Sequence, residues 1–147
     1  MEELIIRNHS EQLESQNLYA AFMVRNLKRT RLSRGAVLPW REVVTNIGGH
    51  YNPRSYSFVC PVHGVYQFNL AILSADRGGG PIGAMIVKNS DIICKLWADI
   101  KHTMGSNSAV IECLAGDAIR VKNFFHGEFH NDNHHYNTFS GSLLKRL

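Results

Sequence analysis

Tyr66-Gln67-Phe68-Asn69-Leu70-Ala71-Ile72 places a large apolar side chain at every second position. Successive side chains of an extended backbone point to opposite faces, so this stretch predicts a strand with one buried face. The same period runs through Leu18, Ala20, Phe22 and Val24, with Tyr19, Ala21, Met23 and Arg25 on the other face. Further strand candidates occupy Tyr56 to Cys60, Ile82 to Val87, Ile92 to Trp97, Ala109 to Leu114, Ala118 to Phe125 and Tyr136 to Leu144. The connectors Gly48-Gly49, Asn52-Pro53, Gly78-Gly79-Gly80-Pro81, Asn89-Ser90-Asp91 and Ala115-Gly116-Asp117 carry residues that tolerate positive φ or preset it. Eight or more strands joined by such turns, with no helical period after Leu18, predict an all-β antiparallel sandwich or barrel over residues 18–147. The first 17 residues read either as a tail or as a short helical lead-in, with Ile6, Leu13 and Ala20 spaced by seven.

Composition agrees with a single globular domain. Of 147 residues, 44% are hydrophobic and 19% charged, far from the corner where chains stay disordered. No apolar run approaches the roughly 18 residues of a membrane span, so no membrane insertion is expected. Met1 to Arg7 lacks the apolar core of a secretory signal, which leaves a cytoplasmic chain or one numbered after a removed leader. The net charge of +4 favours anionic partners, and its excess is local: Arg25, Lys28, Arg29, Arg31 and Arg34 fall within ten residues. Many strands are apolar on both faces, as at Ile92-Ile93-Cys94 and Phe124-Phe125. A lone sandwich needs only its inner faces apolar, so the surplus predicts burial against another subunit.

Five ordered blocks then carry a resemblance. They are Ala21-Phe22-Met23-Val24-Arg25, Asn46-Ile47-Gly48-Gly49-His50-Tyr51-Asn52, Tyr56 to Phe68 through Cys60-Pro61-Val62-His63-Gly64, Gly116-Asp117-Ala118-Ile119-Arg120-Val121, and Thr138-Phe139-Ser140-Gly141-Ser142-Leu143-Leu144. In that order, from about Leu18 to Leu147, they resemble the globular head domain of complement component 1q. The resemblance implies a ten-strand antiparallel jelly-roll sandwich of the tumour-necrosis-factor-like kind, assembled as a homotrimer and secreted. Phe22, Tyr66, Phe68, Leu70, Phe139 and Leu143 are the expected trimer and core packing residues. It further implies recognition without catalysis: a lectin-like, pattern-recognition protein of the stalkless invertebrate type that binds glycans, lipopolysaccharide or other anionic surface molecules, with no nucleic-acid partner. The alternative is a trimeric cytokine-like ligand for a receptor protein. No Gly-X-Y stalk precedes the domain in this chain.

The expected ligand loops are residues 28–34, 77–81 and 126–135. Arg29, Arg31 and Arg34 supply cations to the first. His126, His130, Asn131, Asp132, His134, His135 and Tyr136 supply the donors, acceptors and aromatic faces that hold sugar hydroxyls. Gain of charge by these histidines near pH 6 would strengthen contact with anionic glycans. No cofactor is required. His130 and His134 are candidate transition-metal ligands, such as for zinc, and Asp99 is a candidate Ca²⁺ ligand shared by three copies, since some relatives hold calcium near the trimer apex. No nucleophile elbow, phosphate loop or zinc-protease helix motif is present. Cys60, Cys94 and Cys113 fall on apolar strand faces and read as buried thiols, with a Cys94–Cys113 bridge as the alternative in an exported chain.

Overall fold

The computed structural model describes residues 18–75, 80–125, 127–130 and 134–147. Ten strands are found among them: β1 (Ala21–Leu27), β2 (Trp40–Ile47), β3 (Tyr51–Asn52), β4 (Ser57–Val59), β5 (Gly64–Leu73), β6 (Ile82–Lys88), β7 (Asp91–Ala98), β8 (Met104–Cys113), β9 (Ala118–Phe125) and β10 (Thr138–Arg146). They form two antiparallel five-stranded sheets in the orders β2-β1-β10-β5-β8 and β3-β4-β9-β6-β7. The helical alternative for the first 17 residues lies outside the described residues.

The period-two reading fixes which side chains fill the gap between the sheets. Tyr66, Phe68, Leu70 and Ile72 of β5 point inward and are at most 3% exposed, as are Phe22 and Val24 of β1 and Phe139 of β10. These expected trimer residues are therefore core residues of the single chain, and Leu143 packs partly buried against the same cluster. Phe22 is the hub, stacked on Tyr51 at 5.3 Å and Phe58 at 4.9 Å and meeting Phe139 edge-on at 4.9 Å. Register explains Gly141: it stands opposite Phe22 on one side and Phe68 on the other. A Cβ there would collide with both rings, so ring packing demands the glycine, and the bulge of β10 lies further on, between Leu143 and Lys145.

Two strands, β2 and β3, escape the sequence reading. β2 is a sheet edge whose burial follows no clean alternation, and its extra residue Val44, between the partners of Met23 and Val24, shifts the register. β8 starts at Met104, five residues before the expected Ala109, because its polar half Gly105 to Ser108 pairs with β5 residue for residue. β1 and β10 run later than expected, to Leu27 and Arg146.

Two patches of the apolar exterior lie toward opposite edges. Trp97 and Phe125 pack edge-on at 4.7 Å, both exposed, beside the β7–β8 turn with Ile100 and Met104. Val43, Val44 and Ile47 are exposed on β2. Both described chain ends meet at one end of the sandwich, where Leu143 N–H donates to Ala20 O and Leu147 N–H to His63 O.

Burial of Tyr51 raises its hydroxyl pKa, and that hydroxyl has no hydrogen-bond partner among the described residues. An unpaired buried hydroxyl costs desolvation with no return. Tyr51→Phe is therefore expected to leave stability unchanged or raise it by about 1 kcal/mol in urea titration, keeping its stack on Phe22.

Candidate functional site

The loops after β1, β5, β7 and β9 gather at the end of the sandwich away from the chain ends. Leu27 faces Trp40, Leu73 faces Met104, Ala98 faces Ile82 and Phe125 faces Gly83, so each of these strands finishes at the same rim. Backbone bridges then knit the loops together: Arg31 to Glu128, Ser74 to Phe129, and Phe129 N–H to Thr30 O at 2.8 Å.

Within this rim lies a recess of about 300 Å³ lined by Leu73, His102, His130, His134 and Tyr136. The His102 and His130 rings meet edge-on at 4.9 Å, His130 meets Tyr136 edge-on at 5.7 Å, and His134 stacks on Tyr136 at 6.4 Å. Imidazole and phenol edges around an aliphatic floor can hydrogen-bond hydroxyl or anionic groups and cover an apolar face. The cationic loop sits next to it. Arg29, Arg31 and Arg34 are exposed there. Lys28 is engaged with Tyr56, its Nζ donating to the hydroxyl at 3.1 Å and lying 5.1 Å from the ring centre. Arg25 is likewise engaged: its Nε donates to Glu42 at 2.8 Å, which holds the Glu42 carboxyl below its usual range.

Four buried polar residues pin these loops to the frame. Asn123 donates to Leu32 O at 2.9 Å and Ser33 O at 3.3 Å, holding the cationic loop. Ser74 accepts Thr103 N–H at 2.9 Å on its hydroxyl and donates its own N–H to Thr103 O at 3.0 Å, holding the turn that carries His102. Asn137 accepts Leu73 N–H at 2.8 Å and donates to His130 O at 2.5 Å. Asn26 hydrogen-bonds His135 through Nδ2 and Nδ1 at 3.0 Å. Such pins offset local strain: Lys101, His102 and His135 all adopt left-handed backbone, at φ 62°, 54° and 66°. That conformation costs a side-chain-bearing residue about 1–2 kcal/mol.

Of the expected site residues, the structure brings Arg29, Arg31, Arg34, His130, His134, His135 and Tyr136 to one rim. His126, Asn131 and Asp132 lie outside the described residues, as do 77–79 of the 77–81 loop. His130 faces His102, a residue the sequence reading passed over. Among the described residues no three His, Cys, Asp or Glu side chains are grouped to hold a metal ion. Asp99 is exposed on the β7–β8 turn, its carboxylate accepting Ile100 N–H at 2.8 Å. The alternative of a Cys94–Cys113 bridge is corrected: all three thiols are free, Cys94 on β7 faces Ile86 on β6, and Cys113 adjoins Cys60 instead. No helix among the described residues is long and apolar enough to cross a membrane.

Comparison with known proteins places these features in context. Residues 21–144 match the family model of the C1q domain. The chain is 30% identical over 137 residues to complement C1q tumor necrosis factor-related protein 6 of Mus musculus, covering 88% of this chain and 51% of that protein. It is 29% identical over 103 residues to Caprin-2 of Danio rerio, covering 68% of this chain and 11% of that protein. The chain thus spans about half or less of the length of these relatives. Among solved structures, the globular domain of zebrafish complement 1qA protein superposes with a TM-score of 0.69 at 19% identity, covering 87% of this chain and 99% of that one. Murine APRIL superposes with a TM-score of 0.69 at 12% identity, covering 86% and 100%. At these identities the likeness is one of fold.

Proposed function

This chain belongs to the C1q domain family, and on that premise we propose that it is a non-enzymatic, extracellular recognition module that assembles as a homotrimer and binds anionic surface molecules, acidic glycans and lipopolysaccharide among them. The observation that carries this reading is the Arg31–Glu128 bridge, which seats a loop of exposed arginines beside the imidazole-lined recess. Cations draw the anionic ligand in from a Debye length away, and the recess supplies directional contacts at close range. The two apolar edges support the assembly. A patch of Trp97, Phe125 and Met104 at one edge and Val43, Val44 and Ile47 at the other suit a head-to-tail contact, which closes into a ring when the rotation fits. Three recesses on one particle multiply weak single-site affinity.

The test is an array of sulfated, sialylated and neutral glycans with lipopolysaccharide, probed with protein whose mass in solution has been measured. A three-chain particle is expected, with binding to the acidic ligands that weakens as salt rises. At about 1 kcal/mol per cation near an anionic surface, the triple variant Arg29→Ser, Arg31→Ser, Arg34→Ser should lose roughly 10²-fold in affinity. A single-chain mass, or equal binding to neutral glycans with no salt dependence, would refute the reading. Silence on the array with saturable cell binding would favour a receptor ligand.

A further inference from the structure

At the end of the sandwich opposite the recess, two thiols meet across the gap between the sheets. Cys60 directly follows β4 of one sheet and Cys113 closes β8 of the other, each only 1% exposed. Backbone hydrogen bonds seat Cys60 against the turn that follows Cys113: its N–H donates to Asp117 O at 2.9 Å and its carbonyl accepts Gly116 N–H at 2.8 Å. The Cys60 and Cys113 side chains lie in the same buried cluster, near enough for each to act on the other's ionisation. Cys94 is remote from both, facing Ile86 in the β6–β7 pair.

We propose that Cys60 and Cys113 close an inter-sheet disulfide when the chain folds in the presence of a small-molecule disulfide oxidant such as oxidised glutathione. One cysteine thiolate attacks the oxidant, forming a mixed disulfide and releasing one reduced glutathione. The second thiolate then attacks the protein sulfur of that mixed disulfide and expels the second glutathione. Two protein thiols are oxidised, one glutathione disulfide is reduced to two thiols, and the two protons pass to the released glutathione. The moment of closure follows from burial. Desolvation raises both thiols above their ordinary pKa and starves them of thiolate, and their inaccessibility bars the oxidant. Exchange is therefore fast while the sheets assemble and slow once they have packed. Because the bond closes a loop of more than fifty residues, it removes much entropy from the unfolded chain, and the melting temperature should rise by roughly 10 °C.

The full chain, reduced and unfolded, is refolded in a glutathione redox buffer or in excess reductant, alkylated, and its peptides mapped by mass spectrometry. The oxidising arm should give a Cys60–Cys113 linked peptide with Cys94 alkylated, and a melting temperature that falls on reduction. Native reduced protein exposed to the same buffer should form the bond at least tenfold more slowly. Cys94→Ser should retain the link, and Cys113→Ser should lose it. Secretion into an oxidising compartment gives the same map where refolding yield is poor. Three alkylated thiols in the folded oxidising-arm protein, or a link through Cys94, would overturn the proposal. Glycan binding plays no part in this readout, so it stands or falls apart from the recognition reading.

Discussion

Phe22→Ala is expected to cost about 4 kcal/mol of stability, a large part of the 5–15 kcal/mol that holds a domain of this size. Phe22 is 2% exposed and touches Tyr51, Phe58, Phe68 and Phe139, so its ring bridges both sheets through four aromatic neighbours. Removing it leaves a void that rigid rings on several strands cannot collapse into, and the cavity adds to the lost transfer free energy. Gly141→Val should approach the same loss by the opposite route, because its side chain would drive into Phe68 and Phe22 with no flexible neighbour to yield. Urea titration reads both. A loss under about 1 kcal/mol in each would mean that the aromatic hub is not the centre of the core.

The second large effect belongs to Asn137, which is 3% exposed and joins β5 to the recess through two side-chain hydrogen bonds. Asn137→Leu leaves Leu73 N–H and His130 O buried without those partners, and the expected loss is about 2–4 kcal/mol. It should also free the His130 backbone. Affinity for the acidic ligand should then fall even at temperatures where the variant is fully folded by circular dichroism, because His130 forms one wall of the recess. Asn137→Asp is the informative companion, since its oxygen can still accept from Leu73 while the donor to His130 is lost. Equal ligand affinity in a folded Asn137→Leu variant would show that the recess holds its shape without this residue.

How far the chain could be read in advance depended on what each feature asks of its residues. β5 and β9 were legible because one side of each is buried and alternation follows directly, as in Tyr66, Phe68, Leu70 and Ile72. β2 was not, because an edge strand that carries its own bulge at Val44 is held by backbone pairing and exposes Val43 and Val44 side by side. Arg31 and His130 were legible as unusual residues in turn-rich stretches, but their nearness comes from a bridge between positions 31 and 128 that no local pattern encodes. Asn26, Ser74, Asn123 and Asn137 look like ordinary polar residues in the sequence, and only burial reveals them as supports. His102 was hidden by a plainer reading of its turn as an acidic ion site built on Asp99. Cys60 and Cys113 were legible as buried thiols, but not their nearness to each other, because sequence separation does not tell which strand ends face each other across two sheets.

The meeting of both described chain ends opposite the recess has a practical outcome. A reporter, solid support or spacer joined to Leu147 leaves from the face turned away from His102 and Tyr136. Any such attachment would hold the arginine loop and its hollow outward, like a cup fixed by its base. Biosensor chips loaded through that end should therefore present a uniform, unobstructed layer, whereas coupling through surface amines near Lys28 and Lys101 would bury part of the population face down.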